Sequence, residues 1–303
     1  MPTNELKTWQ AQAQAQTELL LARLMPSENQ LPQSLHETMR YAALDGGKRL
    51  RPLLVLAASE LGEAVPDAVE AAMAAIELIH VYSLVHDDMP AMDNDSLRRG
   101  RPTCHIRYGE AAALLAGDAL QTLAFDLLSR PTALPPQRQL HMLSTLARAS
   151  GSLGMAGGQA IDLANVGRSI TQSELEQMHS LKTGALIRAA AALGGLSCPD
   201  LTDHDLQRLD RYAARLGAPV VKQLYALYYL YRSPATPTKA KWIIAGALIY
   251  FLSPIDSIPD ILVPLGFTDD IAVLALAYAQ IKAYLTADIL DRAQAAADEL
   301  LQR

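Results

Sequence analysis

The chain has 303 residues, half of them hydrophobic, and a formal net charge of −6 from 26 basic and 32 acidic side chains. This composition supports a large buried core and excludes an intrinsically disordered chain. The acidic excess argues against a nucleic-acid-binding protein, whose contact surface is basic. The two cysteines, Cys104 and Cys198, form no metal-binding pattern and are typical of a reducing compartment. Because the first residues lack the apolar stretch of a targeting signal, we expect a cytoplasmic protein.

Residues 1–217 are predicted to be almost entirely helical. Long segments rich in Ala and Leu, with apolar residues three and four apart, run over 67–87 and 109–128. Proline and glycine interrupt this pattern, and we expect helix breaks at Pro32, 45–47, Gly62, Pro66, Pro131, 135–136 and 194–195. The small residues Gly154, Gly157 and Gly158 are expected to let helices approach one another closely.

The composition changes near residue 218, which predicts a domain boundary between residues 1–217 and 218–303. All seven histidines precede it, whereas ten of the 16 aromatic residues (2 Trp, 11 Tyr and 3 Phe) follow it. Apolar runs occupy 242–255 and 271–281, and neither reaches the roughly 18 residues of a membrane-spanning helix. Two interpretations therefore stay open, a buried helical hairpin and a hairpin that dips into a membrane surface.

Carboxylates and guanidiniums lie side by side where the 67–87 helix is predicted to end. The carboxylates are Asp87, Asp88, Asp93 and Asp95, and the guanidiniums are Arg98 and Arg99. Clustered carboxylates repel one another unless a cation lies between them, and oxygen ligands favour Mg²⁺. Guanidiniums are suited to phosphate oxygens. The segment predicts a Mg²⁺-diphosphate site, and surface ion pairs at a helix end are the alternative.

Three further groups of side chains are suited to an anion. Lys48 and Arg51 follow a glycine pair and, being three apart, are expected to share a helix face. His80 lies two helical turns before Asp87 on the same face. The pair Lys182 and Thr183 is suited to a phosphate from another helix. Taken singly, each group also fits a structural role. The glycine pair before Lys48 lacks the spacing of a P-loop.

Together these segments resemble the short-chain trans-isoprenyl diphosphate synthases, most closely the bacterial farnesyl diphosphate synthases. The matching stretches within residues 1–217 are 46–52, 79–93, 97–100, 116–120, 157–163 and 182–186. The resemblance implies an all-α bundle of the isoprenoid-synthase type around a deep pocket. It also implies a homodimer and a prenyltransferase that condenses isopentenyl diphosphate with dimethylallyl or geranyl diphosphate.

The same resemblance implies a role for each candidate residue. Asp87, Asp88 and Asp93 are expected to hold the Mg²⁺ cofactor on the allylic diphosphate, which Arg98 also contacts. Isopentenyl diphosphate is expected to be held by a second set of side chains, namely Lys48, Arg51, His80 and Arg99. Lys182 and Thr183 are the expected catalytic residues, beside the leaving diphosphate and the developing cation. Tyr82, five residues before Asp87, is expected to limit chain length to a C15 product.

The chain departs from this family after residue 217. At the spacing of the second aspartate-rich motif stand Leu224, Tyr225 and Tyr228, so that motif is missing and the last helices of the bundle are predicted to be replaced. Residues 220–303 resemble a small, uncharacterised and often membrane-associated domain family with the signature Leu-Ser-Pro-Ile-Asp-Ser-Ile-Pro-Asp at 252–260. We expect Asp256 and Asp260, which flank prolines, to serve turns rather than a metal.

Two hypotheses follow from this combination. In the first, the chain is a farnesyl diphosphate synthase that is impaired by the missing motif. In the second, it is a non-catalytic prenyl-diphosphate-binding or remnant protein fused to a helical hairpin that associates with a membrane. The substrates expected for both are isopentenyl diphosphate and allylic diphosphates.

Overall fold

The structure is a computed structural model that describes residues 3–166, 168 and 170–216. Beyond these it describes residues 229–231, 233, 236–237, 240–241, 244, 286 and 288–292. The chain divides into two compact units, one of residues 1–97 and 101–213, the other of residues 98–100 and 214–303.

Helices account for nearly all regular structure in the described residues, so the predicted all-α class is confirmed. They are α1 (Thr3–Leu24), α2 (Gln33–Ala43), α3 (Leu50–Ser59), α4 (Pro66–Asp87), α5 (Cys104–Tyr108), α6 (Glu110–Ser129), α7 (Pro136–Ser150), α8 (Met155–Ala164), α9 (Gln172–His179), α10 (Ala185–Leu196) and α11 (Asp203–Leu216). A π turn (Ser180–Gly184) joins α9 to α10, and the short strands β1 (Leu97–Arg98) and β2 (Arg101–Pro102) form a hairpin.

Helix α4 is the central element of the first unit. Proline at its first position suits a helix start, because the missing N–H has no partner there in any helix. Every residue over 72–79 is buried, and α3, α6 and α10 pack against α4. Burial on all sides explains why the sequence of α4 is apolar around its whole circumference rather than along one stripe.

Two helices of the described residues, α4 and α6, are long and apolar enough to cross a membrane. They pack against each other within the first unit, and 67% of the most apolar window of α4 is buried there. A core helix meets the same criteria of length and composition as a membrane span. The apolar character of α4 is therefore explained by packing in the bundle, whereas only 39% of the corresponding window of α6 is buried.

One predicted helix break is wrong. Gly194 and Gly195 lie inside α10 instead of ending a helix before it. A Cβ added to Gly194 would lie 2.2 Å from the carbonyl oxygen of Val55, so glycine there lets the backbones of α10 and α3 approach closely. The break at Pro66 coincides with the start of α4, and those at Pro32 and 45–47 lie between helices, as predicted.

Few residues of the second unit are described. The carbonyl of Leu230, a buried residue, accepts a hydrogen bond from Thr236 Oγ1 at 2.7 Å. The guanidinium of Arg292 lies 4.4 Å from the ring centroid of Tyr229. Residues 217–228 and 245–285, with the missing-motif positions and the 252–260 signature, lie outside the described residues. The boundary at 217/218, the replaced last helices and the membrane hairpin therefore stay predictions.

Candidate active site

Three carboxylates surround the C-terminal end of α4. Asp87 is its last residue, Asp88 caps it with only 4% exposure, and Asp93 is exposed. The Asp93 N–H donates a hydrogen bond to the Asp87 carbonyl at 2.9 Å, so the following turn brings the backbone of Asp93 back to the helix end. Because a helix C-terminus carries partial negative charge, this arrangement favours a bound cation.

The donor set at this helix end fits Mg²⁺ bound together with a phosphate ligand. Within the described residues, no three His, Cys, Asp or Glu side chains are arranged to hold a metal ion. Mg²⁺ commonly takes only one or two carboxylates and completes its shell with water and substrate phosphates. Burial raises the pKa of the neighbouring Cys104 thiol to about 12, and the charge of Asp88 adds to that shift.

The basic loop, residues 44–49 between α2 and α3, carries Lys48. Its backbone has positive φ at Asp45 (60°), Gly47 (96°) and Arg49 (51°), and Gln14 Nε2 donates to the Lys48 carbonyl at 2.9 Å. Helix α3 begins only at Leu50, so Arg51 lies in its first turn. The prediction that Lys48 and Arg51 share a helix face is therefore wrong, because Lys48 precedes the helix and the left-handed Arg49 separates the two.

Arg49 joins the basic loop to α4 and was missed by sequence reasoning. Its fully buried side chain forms ion pairs with Glu77 Oε1 (2.7 Å) and Glu18 Oε1 (2.6 Å) and donates to the Ala43 carbonyl (2.6 Å). Glu77 is 2% exposed and lies three residues before His80 on α4. The pair places the Lys48 loop beside the turn of α4 that carries His80. The sequence feature that indicates a buried ion pair is Glu77, the one charged residue in the apolar sequence 71–79.

Arg98 and Arg99 lie on the hairpin of β1 and β2. Arg99 and Gly100 are the two residues of its loop and both have positive φ, 52° and 71°. Two-residue hairpin loops of this kind match the twist of the strands, and glycine serves the second position without strain. The hairpin explains Gly100 through backbone geometry, whereas arginine rarely adopts the positive φ that Arg99 has.

Strand β2 is fastened to α2 and α5 through one tyrosine. The guanidiniums of Arg101 and Arg107 lie 4.3 and 4.4 Å from the ring centroid of Tyr41. The Tyr41 hydroxyl donates to the Pro102 carbonyl at 2.7 Å. Cation–π contacts are worth about 0.5–1 kcal/mol each at exposed sites. Together with the hydrogen bond, they hold β2 in one position.

Tyr82 lies where α4 faces α6. Its ring contacts the His86 ring edge to face, with centroids 5.7 Å apart. Burial raises the pKa of the Tyr82 hydroxyl; a hydrogen bond with Gln121 of α6 opposes that shift, and the charge of Asp87 adds to it. The side chain therefore stays neutral and is held from both helices, and its role in chain length stays a prediction.

Lys182 and Thr183 lie in the π turn between α9 and α10. Lys182 Nζ is 2.7 Å from Asp162 Oδ2 of α8, the two side chains being 28% and 41% exposed, and Thr183 is exposed. π turns inside helices occur frequently at functional sites. Burial lowers the pKa of the neighbouring His179; the charge of Asp162 opposes that shift, and the charge of Lys182 adds to it.

Gly158→Ala is expected to separate α8 from the π turn. The added Cβ would lie 2.2 Å from the Lys182 backbone nitrogen, a distance that requires the backbone to move. Overpacking of this kind costs about 1–3 kcal/mol, measurable by urea unfolding. Gly184→Ala is the matched control in the same turn, because its Cβ would meet nothing closer than 3.8 Å. Equal stability of the two variants would contradict the close approach.

The half-buried His179 is expected to make stability depend on pH. Its pKa lies below the ordinary 6.5, so the unfolded chain binds more protons as the pH falls below that value. The contribution of the neutral ring to stability is full above pH 6.5 and is lost as the pH falls through the folded pKa. Thermal unfolding of wild type and His179→Gln between pH 8 and 5 should therefore show a steeper acid loss for wild type, and parallel curves would contradict this.

Comparison with known proteins identifies two families along the chain. The polyprenyl synthetase family matches residues 32–219, and a family described as a protein of unknown function (DUF1232) matches residues 240–276. Both resemblances predicted from the sequence are confirmed by these matches.

Similar curated proteins include two farnesyl diphosphate synthases. That of Escherichia coli is 53% identical over 183 residues, 60% of this chain and 61% of the relative. That of Haemophilus influenzae is 49% identical over 184 residues, 60% of this chain and 62% of the relative. The alignments thus span about three fifths of the length of these relatives.

Solved structures with the same fold include a FPP/GFPP synthase from Zymomonas mobilis. It is 35% identical, with a TM-score of 0.68 over 98% of this chain and 99% of that one. A geranyltransferase from Legionella pneumophila is 29% identical, with a TM-score of 0.69 over 100% of this chain and 99% of that one. The family match over residues 32–219, which contains every predicted site residue, shows that the chain belongs to the polyprenyl synthetase family.

Proposed function

We propose that the chain is a Mg²⁺-dependent prenyltransferase that condenses isopentenyl diphosphate with dimethylallyl or geranyl diphosphate to give farnesyl diphosphate. The observation that carries this proposal is the arrangement of charges along α4. Arg49 fastens the basic loop beside His80, and the carboxylates lie at the end of the same helix, seven residues on from His80. At 1.5 Å per residue, about 10 Å separates the two positions, a distance suited to two neighbouring diphosphates.

In this proposal each group of side chains has one task. Lys48, Arg51, His80 and Arg99 bind isopentenyl diphosphate, and Arg98 binds the allylic diphosphate. Mg²⁺, held by Asp87, Asp88 and Asp93 together with the phosphate oxygens, supplies the positive charge that stabilises the leaving diphosphate. The ammonium of Lys182, partly exposed beside Asp162, turns to the same leaving group, and the Thr183 hydroxyl donates a hydrogen bond to it. Positive groups that face the developing charge lower the barrier most in such reactions.

Two further properties belong to the proposal. Tyr82, held between α4 and α6, limits the product to C15. A homodimer is supported by apolar side chains that α5 and α6 leave exposed, Ile106 (56%), Leu114 (46%) and Leu115 (56%). In this proposal the protein acts in the cytoplasm, and for residues 218–303 both interpretations, a buried helical hairpin and a hairpin that contacts a membrane surface, stay open.

A second candidate function is binding of prenyl diphosphates without turnover. It is supported by Leu224, Tyr225 and Tyr228, uncharged residues at the spacing of the second aspartate-rich motif. Loss of a metal anchor would remove transition-state stabilisation, at a tenfold loss of rate for about every 1.4 kcal/mol.

Incubation of the full chain with Mg²⁺, isopentenyl diphosphate and geranyl diphosphate distinguishes the two functions. Formation of a C15 diphosphate, measured by mass spectrometry, supports the transferase. Mg²⁺-dependent binding of geranyl diphosphate without any C15 product supports the binding protein. Absence of both binding and product contradicts both functions.

A further inference from the structure

We infer that Arg49 is a positioning residue that holds the basic loop on α4 and thereby sets the affinity for isopentenyl diphosphate. The inference rests on the proposed function, in which Lys48 and Arg51 bind that substrate. Arg49 stands between these two residues in the chain. Its side chain is nevertheless fully buried, so it acts through its neighbours and does not touch the substrate.

The guanidinium of Arg49 joins three helices. It pairs with Glu18 of α1 and Glu77 of α4 and donates to the carbonyl of Ala43, the last residue of α2. Arg49, the last residue of the basic loop, is therefore held by α1, α2 and α4. Arg49, with a φ of 51°, is the residue that joins Lys48 to the first turn of α3, so its position sets that of Lys48 relative to Arg51. Loss of these contacts frees the two cations to separate.

The geometry requires a guanidinium and not merely a positive charge. Nη1 reaches Glu77, while Nη2 reaches both Glu18 and the Ala43 carbonyl. The flat fork of arginine holds donors in these fixed directions, whereas a lysine ammonium is one point on a flexible stem. Lysine at position 49 therefore keeps the charge in the core and loses the link between helices.

Arg49→Lys in the full chain tests the inference. Isothermal titration measures two affinities, that for isopentenyl diphosphate in the absence of Mg²⁺ and that for geranyl diphosphate in its presence. We expect the first to fall about tenfold or more, since displacement of binding groups by an ångström has effects of that size. The second should change less than about twofold, because the carboxylates lie ten residues beyond Glu77 on α4, about 15 Å away. General loosening of the fold would lower both affinities alike.

Two other variants complete the experiment. Arg23→Met removes an ion pair with Glu70 between the same helices α1 and α4, at side-chain exposures of 60% and 38%, and should leave both affinities unchanged. Lys48→Ala should abolish Mg²⁺-free binding, which shows that the titration reports on this site.

The outcomes separate this inference from the proposed function. A folded Arg49→Lys variant with wild-type affinity for isopentenyl diphosphate, or with equal losses for both ligands, would overturn the inference alone. Wild-type protein that binds neither ligand would overturn the proposed function. If Arg49→Lys does not fold by circular dichroism, Glu18→Gln decides, because Glu18 is 33% exposed and the amide keeps its shape. A selective loss of isopentenyl diphosphate affinity in Glu18→Gln supports the inference, and unchanged affinity overturns it.

Discussion

Replacement of both Asp87 and Asp93 by asparagine is expected to lower farnesyl diphosphate formation by about 10³-fold or more. The two amides keep the shape of the carboxylates and remove the charges that would hold Mg²⁺ on the allylic diphosphate. The turn at the end of α4 is preserved, because its hydrogen bond from Asp93 to Asp87 joins backbone atoms. Initial rates with saturating Mg²⁺ and both diphosphates measure the effect.

Stability provides the internal control for the double variant. Removal of negative charge at a helix C-terminus favours the helix dipole and offsets contacts that Asp87 and Asp93 lose, so the free energy of unfolding should change by less than about 1 kcal/mol. Asp126→Asn, which breaks a surface ion pair with Arg130 between side chains that are about half exposed, should retain full activity. Mg²⁺-dependent binding of geranyl diphosphate gives the same test without turnover. A double variant that keeps more than a tenth of wild-type activity, or of wild-type affinity for geranyl diphosphate, would contradict the metal assignment.

Arg49→Met is expected to destabilise the fold by about 3–5 kcal/mol, because it leaves the carboxylate of Glu77 buried without its charge partner. Glu77 is 2% exposed, so little water reaches it in the folded chain. Urea unfolding at pH 7 measures the loss. Arg49→Met thus tests the contribution of Arg49 to stability, whereas Arg49→Lys, the milder change, tests its effect on isopentenyl diphosphate affinity.

The double variant Arg49→Met/Glu77→Leu should recover much of that loss. Apolar side chains of similar volume often replace a buried ion pair at little cost in stability, because folding then does not have to transfer two charged groups out of water. The exposed pair of Arg23 and Glu70 is the matched comparison, and Arg23→Met should cost less than about 1 kcal/mol. A loss below 1 kcal/mol for Arg49→Met, or no recovery in the double variant, would contradict the role of the pair.

The sequence alone determined the helical class, the extents of α4 and α6, and the family. The extents of α4 and α6, predicted over 67–87 and 109–128, differ by one residue at most from those observed, 66–87 and 110–129. Apolar spacing and proline positions act within a few residues of themselves, so the linear sequence contains them. The acidic cluster could also be predicted from the sequence, because three of its carboxylates occur within seven residues, 87–93.

Only the tertiary structure decided how the charged groups are held. Arg49 meets Glu18 and Glu77 across 31 and 28 residues, and Lys182 meets Asp162 across 20. The left-handed backbone at Arg49 separates Lys48 from the helix that local spacing had suggested for it. The packing of α3 on α10 explains Gly194, which local sequence had suggested as part of a helix break. Such pairings depend on which helix faces meet when the core is buried. That is a property of the whole bundle, and no short stretch of sequence contains it.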